Sequence, residues 1–444
     1  MTAVDTSRKS PVEPHSPDTA IPARQNVPRG MRGVVSLDDL EARARRHLPV
    51  PIFGYIAGQA ESGAAYTGNR SAFEKYLFSP NVLRGTKDRD QSVGLFGRRY
   101  SRPFGIAPMG LSALAAYDGD IALANGAYDR DTVAILSATS LTPLERVAKE
   151  GPSHWFQAYF PGDHDRVRAM VERIAAAGFE TLVVTVDVPV NGNREIDKRN
   201  RFVTPIEPTP KLFLQGATRP AWSFGTAFKT LMRHGMPRFA NLDVGEGPPI
   251  VARNIERSFS GREAFAWEHL ETARKHWKGN LVLKGVLRPD DAIRALDVGC
   301  DGLIVSSHGG RQLDSMIAPL DALPGIRAAV GPNVPVLIDS GLRRGTEVLK
   351  ALALGADFAF VGRPFLYAAA LAGRPGVTRA FDILSEEVDR NMAMIGLQSL
   401  SGIRDANGNS HFVLHRSQVE KEASAALDSY ATEPWHRTHS QHEE

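Results

Sequence analysis

The chain has 444 residues, 42% hydrophobic and 23% charged, the composition of an ordinary globular protein with room for one large barrel or several medium domains. Lys plus Arg number 53 against 50 Asp plus Glu, so the formal charge is only +3; with no dense basic run, this argues against a nucleic-acid binder. A single cysteine, Cys300, excludes an intrachain disulfide framework and fits a reducing cytosol, and no apolar run approaches the roughly 20 residues of a transmembrane helix.

Residues 1–33 are polar and rich in Pro and Ser, without the apolar stretch of a signal peptide, and read as a flexible arm. Residues 37–47 and 51–60 read as helices that plug or cover a barrel end. Eight short apolar, β-branched segments then follow, at 103–110, 133–140, 154–161, 181–189, 280–286, 302–310, 335–341 and 358–365. Amphipathic stretches such as 163–177, 289–298 and 344–354 alternate with them. Strands alternating with helices imply parallel pairing and right-handed crossovers, and eight such units predict an α/β fold, a (β/α)8 TIM barrel spanning 34–406. The stretch between strands four and five is far longer than a usual connection, which predicts an insertion at about 205–265 on the catalytic face. Residues 407–444 read as a polar tail in which Phe412-Val413-Leu414 can dock locally.

Barrel enzymes place their chemistry at the C-terminal ends of the strands. Polar residues stand there in order: Gln157 and Tyr159, Thr185 and Asp187, Lys284, Ser306 and His308, Asp339, then Gly362-Arg363. Each alone reads as a satisfied core or surface group. An Asp, a Lys and a His converging on one barrel end are harder to place without function, because charged residues are seldom buried unless paired or used. The run Asp339-Ser340-Gly341-Leu342-Arg343-Arg344-Gly345 opens a helix after strand seven, and Gly362-Arg363 follows strand eight. Glycine backbone, a helix N-terminus and arginine forks at this corner predict a phosphate-bearing ligand.

The run Ser306-Ser307-His308-Gly309-Gly310-Arg311-Gln312-Leu313-Asp314 resembles the signature of the FMN-dependent α-hydroxy-acid oxidases and dehydrogenases. So do Thr185-Val186-Asp187, Asn193-Arg194-Glu195, Leu283-Lys284-Gly285-Val286 and the 339–345 loop, in consistent order over about 36–403. Val190-Asn191-Gly192, Arg233-His234-Gly235-Met236-Pro237 and 338–345 lean toward the family's mandelate-oxidising branch. The resemblance implies FMN and the oxidation of an (S)-2-hydroxy acid with an aryl or long side chain to the 2-oxo acid. It implies His308 as base, Asp187 as its orienting carboxylate, and Arg194 with Arg311 as the carboxylate clamp. Tyr55 and Tyr159 would hold the substrate's oxygens, and Lys284 the edge of the flavin. Pro108, Met109, Gly110, Ser137, Gln157, Thr185 and Ser306 would line the ring. Asp339, Ser340, Gly341, Arg343, Gly362 and Arg363 would serve the phosphate end. No metal site is expected. Electrons would pass to a quinone or to O2, from a homotetramer that is cytoplasmic or peripheral on the inner membrane face.

Three residues depart from the family pattern. Ser307 stands for the usual Asn before the histidine, Gln59 for a usual Gly, and Thr139 for the large aromatic of glycolate-type members. Gly110 stands where the family's oxidases carry Ala, which favours a dehydrogenase. The competing readings are an oxidase of lactate- or glycolate-type acids, a flavin enzyme acting on an amine or peptide-bound centre, and a barrel that has lost catalysis. Both arginine clamps argue against the amine; base, orienting carboxylate and flavin lysine together argue against the inert scaffold.

Overall fold

The computed structural model describes residues 27–152, 154–202, 210–245, 247–251 and 261–432. Eight parallel strands form the central sheet: β1 (Phe104–Ile106), β2 (Ile135–Ser137), β3 (Trp155–Ala158), β4 (Thr181–Thr185), β5 (Asn280–Val286), β6 (Gly302–Val305), β7 (Val336–Ile338) and β8 (Phe358–Val361). They pair in chain order from β2 to β8, and β8 pairs with β1, Phe360 opposite Gly105. Ile106 bridges Ala134, and its N–H donates to the Val133 carbonyl at 2.9 Å, joining β1 to β2 and closing the ring. Gly105 permits this seam, since a side chain there would collide with the Val133 carbonyl oxygen. The expected (β/α)8 barrel is the observed fold.

Both faces of the strands are buried, which explains their continuous apolar character. Ile135, Trp155, Val183, Val282, Ile304, Leu337 and Phe360 form one cluster, while Leu182, Leu281, Leu303, Val336 and Ala359 belong to the larger core shared with the helices. The strands are shorter than the apolar segments that announce them, because their last residues leave the ladder to form the mouth.

The N-terminal helices are α1 (Asp39–His47), α2 (Val50–Ala57) and α3 (Ala64–Ser71). Helix α2 carries Tyr55 and Ile56 to the catalytic mouth. The opposite end is closed by an element without an expected counterpart. A hairpin of Val93–Leu95 and Arg98–Tyr100 packs Leu95, Phe96 and Tyr100 against the barrel cluster.

The N-terminal arm is more ordered than expected, and the local docking expected at Phe412-Val413-Leu414 is observed. Within the expected flexible arm, Arg29–Met31 forms a 3-10 turn and Met31 is fully buried. Within the expected polar tail, Val413–His415 pairs antiparallel with Tyr76–Phe78, and Arg416–Thr432 is helical. An apolar residue, Met31 in one case and the buried Phe412 in the other, anchors each segment against an otherwise polar composition. The rest of the arm and of the tail, 1–26 and 433–444, lies outside the described residues.

The long insertion joins β4 to β5. Its described helical portions include Pro210–Ala217, Pro220–Trp222, a π-turn at Ser223–Phe228 and α4 (Lys229–His234). Trp222 Nε1–H donates to the Leu114 carbonyl at 2.8 Å, and His234 Nε2 lies 3.0 Å from Asp118, tying the insertion to the loop after β1. Residues 203–209 and 252–260 of the expected insertion lie outside the described residues. After β7 comes α5 (Gly345–Ala353), and after β8 the helical run α6 (Arg363–Ile395), interrupted at Ala372 and Gly373.

Candidate active site

The loop after β6 turns in the left-handed region at three successive residues, His308 (φ 53°), Gly309 (φ 65°) and Gly310 (φ 70°). Such a backbone is costly at His308, which has a side chain, and needs support from its neighbours. Ser306 Oγ accepts the His308 N–H at 3.0 Å, and Ser340 Oγ accepts the Gly309 N–H at 3.0 Å. A Cβ on Gly310 would lie 2.6 Å from the Tyr66 amide nitrogen, so α3 packs directly onto the turn. Ser307 Oγ bonds Asn69 Oδ1 of α3 at 3.0 Å, giving the residue that departs from the family pattern a buried polar partner.

This turn sets the His308 ring between two groups. Its Nδ1 lies 3.0 Å from Asp187 Oδ1, and its Nε2 lies 3.4 Å from the Tyr159 hydroxyl. Burial holds the imidazole below the ordinary histidine range against the pull of Asp187. Burial alone would raise the Asp187 carboxyl, yet His308 and Lys284 beside it bring it below the usual carboxylate value. Burial also pushes the Tyr159 hydroxyl well above its usual range, so it stays protonated and can donate.

Lys284 lies beneath this pair at the end of β5, almost wholly buried. Its ammonium donates to Ser306 Oγ at 2.8 Å and pairs with Asp339 at 3.1 Å. Burial would depress it, but Asp339 and Asp187 keep it protonated above the ordinary lysine value. Asp339 in turn accepts the Ser340 hydroxyl at 2.8 Å. Lysine, aspartate and serine thus form one chain from the barrel interior to the turn that bears His308.

A cavity of about 660 Å³ opens above these residues, within the usual size of ligand sites. It is lined by Tyr55, Pro108, Met109, Gly110, Ser137, Tyr159, Arg194, Lys284, His308, Arg311, Asp339, Ser340, Gly341, Arg343, Gly362 and Arg363. Of the other expected residues, Gln157, Asp187 and Ser306 hydrogen-bond the lining residues Ser137, His308 and Lys284, and Thr185 ends β4. Ser137 Oγ donates to Gln157 Oε1 at 3.1 Å.

The arginines divide into two groups. Arg311 donates to the carbonyls of Ile56 and Gly58 at 3.2 and 2.8 Å and lies 5.0 Å over the Tyr55 ring. Burial, with Arg194 and Arg363 nearby, lowers its guanidinium to about 9. Arg194 reaches Gln312 Oε1 at 3.4 Å and Asp197 at 3.6 Å. A cationic pair so desolvated is matched to an anion such as a carboxylate. Arg363 bonds the same two carbonyls, at 3.0 and 2.8 Å, and the Gly309 carbonyl at 3.1 Å. Its fork therefore clamps α2 to the histidine turn as well as lining the cavity.

The helix N-terminus expected to serve the phosphate corner does not offer free amides there. The amides that open α5 are already occupied: Glu347 accepts the N–H of Arg343 and Arg344, and Glu387 accepts that of Gly345 at 2.8 Å. These three amides are therefore not available to an anion at the helix terminus. The remaining donors fit FMN. Among the described residues, Gln157 Nε2 and Thr185 Oγ1 are buried without a hydrogen-bond partner at the rims of β3 and β4, as the polar edge of a flavin requires.

The cavity is also lined by residues that no pattern in the chain singles out: Asp197, Phe202, Phe239 and Arg262. All lie in the long connection after β4, where no periodicity marks which side chains turn inward. Gly110 and Thr139 are in contact, so that a Cβ on Gly110 would collide with the Thr139 hydroxyl and lie 2.9 Å from its Cβ.

A closed parallel barrel with a carboxylate–histidine pair, a buried lysine and an arginine-lined cavity at its C-terminal mouth defines a cofactor-dependent oxidoreductase. The chain belongs to the FMN-dependent dehydrogenase family, whose pattern matches residues 44–409. It is 35% identical over 373 residues to (S)-mandelate dehydrogenase of Pseudomonas putida, covering 84% of this chain and 93% of that one. An L-lactate oxidase of Lysinibacillus sphaericus is 36% identical over 368 residues, covering 82% and 90%. The crystal structure of the monotopic membrane protein (S)-mandelate dehydrogenase superposes with a TM-score of 0.77 at 33% identity, over 87% of this chain and 100% of that one. The protein is an FMN-dependent enzyme that oxidises 2-hydroxy acids.

Proposed function

We propose that the enzyme oxidises (S)-2-hydroxy acids with an aryl or long side chain, mandelate-like, and passes the electrons to a quinone or similar acceptor. The observation that carries this reading is His308, held between Asp187 and Tyr159 at the floor of a cavity lined by Arg194 and Arg311. The room for a large side chain comes from Thr139, with Leu111, Val188, Phe202 and Phe239 as apolar lining. FMN, when bound, supplies the two-electron acceptor for the α-hydrogen, its ring served by residues 108–110, Ser137, Gln157, Thr185, Lys284 and Ser306 and its phosphate by Arg343 with the neighbouring loops.

Arg194 and Arg311 fix the substrate carboxylate. Tyr55 and Tyr159 donate to its oxygens. His308 Nε2 takes the hydroxyl proton, and the imidazolium so formed is stabilised by Asp187 at Nδ1. Lys284 would hold the edge of the cofactor and supply a fixed positive charge there. Gly110 and the likeness to a mandelate dehydrogenase favour an acceptor other than O2.

Steady-state kinetics on glycolate, lactate, 2-hydroxyoctanoate and (S)-mandelate, with a dye acceptor and in air, test the reading. We expect kcat/KM for mandelate to exceed that for glycolate by at least about a hundredfold, with little peroxide. Glycolate as the best of the four overturns the substrate class, and air reoxidation as fast as turnover overturns the acceptor.

The insertion supports a peripheral membrane position. Phe224, Phe228, Leu231 and Met232 are exposed together beside Lys229 and Arg233, the mixture of an interfacial segment. Among the described residues no helix is long and apolar enough to cross a membrane. A homotetramer completes the proposal, tested by light scattering of the FMN-loaded enzyme.

A further inference from the structure

Helix α3 packs against the turn that bears His308 and is braced at both ends. At its start the N–H groups of Gly63 and Ala65 donate to Asp314 at 3.1 and 2.8 Å, a carboxylate from the loop that follows the turn. At its end Arg70 donates to the Gly341 carbonyl at 2.6 Å and pairs with Glu347 at 3.2 Å. A Cβ on Gly341 would collide with the Asn69 carbonyl oxygen, so the loop after β7 and the helix are in direct backbone contact.

From this fixed support the Asn69 side chain reaches the residue before the histidine. Its Oδ1 accepts the Ser307 hydroxyl at 3.0 Å, and both residues are buried. Asn69 Nδ2 has no hydrogen-bond partner among the described residues, so the oxygen carries its polar contact. Asn69 itself does not line the cavity. The turn needs such an anchor. His308 sits at φ 53°, a backbone region that a residue with a side chain leaves readily unless its neighbours hold it. Ser306 and Ser340 satisfy the amides of the turn, whereas the Ser307–Asn69 bond ties it to a separate helix.

We propose that Asn69 is a positioning residue: through Ser307 it holds the left-handed turn that aims His308 Nε2 into the cavity, and so governs the rate of proton removal without touching substrate or flavin. The inference rests on the reading of His308 as the base. Replacing Asn69 by leucine leaves the Ser307 hydroxyl buried without its acceptor, and the turn can answer that cost only by moving. A misplacement of about 1 Å at the reacting group can cost about a hundredfold in rate. Aspartate in place of Asn69 keeps an acceptor oxygen and gives up only the unpartnered amide nitrogen.

Anaerobic stopped-flow flavin reduction tests this, with the 2-hydroxy acid that wild type turns over fastest. Wild type, Asn69→Leu, Ser307→Ala and Asn69→Asp are compared FMN-loaded, each with its flavin content and melting temperature. Asn69→Leu and Ser307→Ala should each lower the limiting reduction rate at least about tenfold, with the apparent substrate Kd kept within about threefold because Arg194 and Arg311 are untouched. Asn69→Asp should recover a large part of the rate. In a His308→Asn background Asn69→Leu should slow reduction no further, since its effect runs through the imidazole that is gone. Should Asn69→Leu not fold, Ser307→Ala removes the same bond at the loss of one oxygen and carries both comparisons. Single variants that reduce flavin within about threefold of wild type overturn the inference. So does an equal slowing with and without His308, which marks a merely structural role. A His308→Asn enzyme that reduces its flavin within about tenfold of wild type overturns the base itself, a separate failure.

Discussion

Asp187 Oδ1 lies 3.0 Å from His308 Nδ1, and the other oxygen of that carboxylate is buried with no hydrogen-bond partner among the described residues. The carboxylate is thus committed to one bond, which fixes the imidazole so that Nε2 faces the cavity. Its charge is the main force opposing the burial that lowers the His308 value.

Removing that charge has a signed consequence. His308 accepts a proton only when neutral, so kcat/KM of wild type should fall with decreasing pH on a limb below the ordinary histidine value of about 6.5. Asp187→Asn lowers the ring's affinity for a proton further, so the limb should move to still lower pH while the plateau falls by about 10²-fold or more. The pH profile of kcat/KM for both proteins is the check. A limb that moves upward in the variant would contradict the assignment.

Lys284 and Asp339 form a buried ion pair at 3.1 Å, so removing one partner strands the other. Lys284→Met should destabilise the protein by about 3–5 kcal/mol and weaken FMN retention. Lys284→Met/Asp339→Asn should recover a large part of the stability without restoring activity. Melting curves and flavin content on the two variants read this directly, and a double variant no more stable than the single one would count against a paired charge.

Gly110→Ala forces Thr139 to move, because the new methyl would overlap the Thr139 hydroxyl. Thr139 also bonds Ser137 Oγ at 2.9 Å, so the strain passes to a cavity-lining residue. We expect a loss of about 1–3 kcal/mol, partly relieved in Gly110→Ala/Thr139→Ala. Thermal denaturation of the FMN-loaded proteins decides; equal melting of wild type and the single variant would show that the loop absorbs the methyl freely.

Phe224 and Met232 are 72% and 70% exposed on the insertion, beside basic residues. The protein should co-sediment with anionic vesicles at low salt, and Phe224→Asp/Met232→Asp should lower the bound fraction severalfold. Wild type left wholly in the supernatant would end the membrane proposal.

The barrel and the polar residues at its strand ends were legible in the sequence because barrel chemistry is tied to strand ends. Lys284, His308 and Asp339 each follow an apolar run that is buried on both faces. The role of Ser340 was not legible, since its hydroxyl matters through the amides of Ser307 and Gly309, a contact between distant loops. Nor was the plug at 93–100, whose three-residue strands are too short to leave a period. Arg262 and Asp197 escaped for a different reason: a long connection with little regular pattern gives no rule for which polar residues turn inward. The α5 terminus misled in the other direction, because Glu387 arrives from a helix far along the chain to occupy its amide.

The proposed chemistry turns on proton removal by His308. Anaerobic stopped-flow absorbance of His308→Asn, FMN-loaded and mixed with (S)-mandelate, tests it most directly. The variant should keep its flavin yet reduce it at least about a hundredfold more slowly than wild type, the lower range for loss of a positioned base. Flavin reduction within about tenfold of wild type would contradict it.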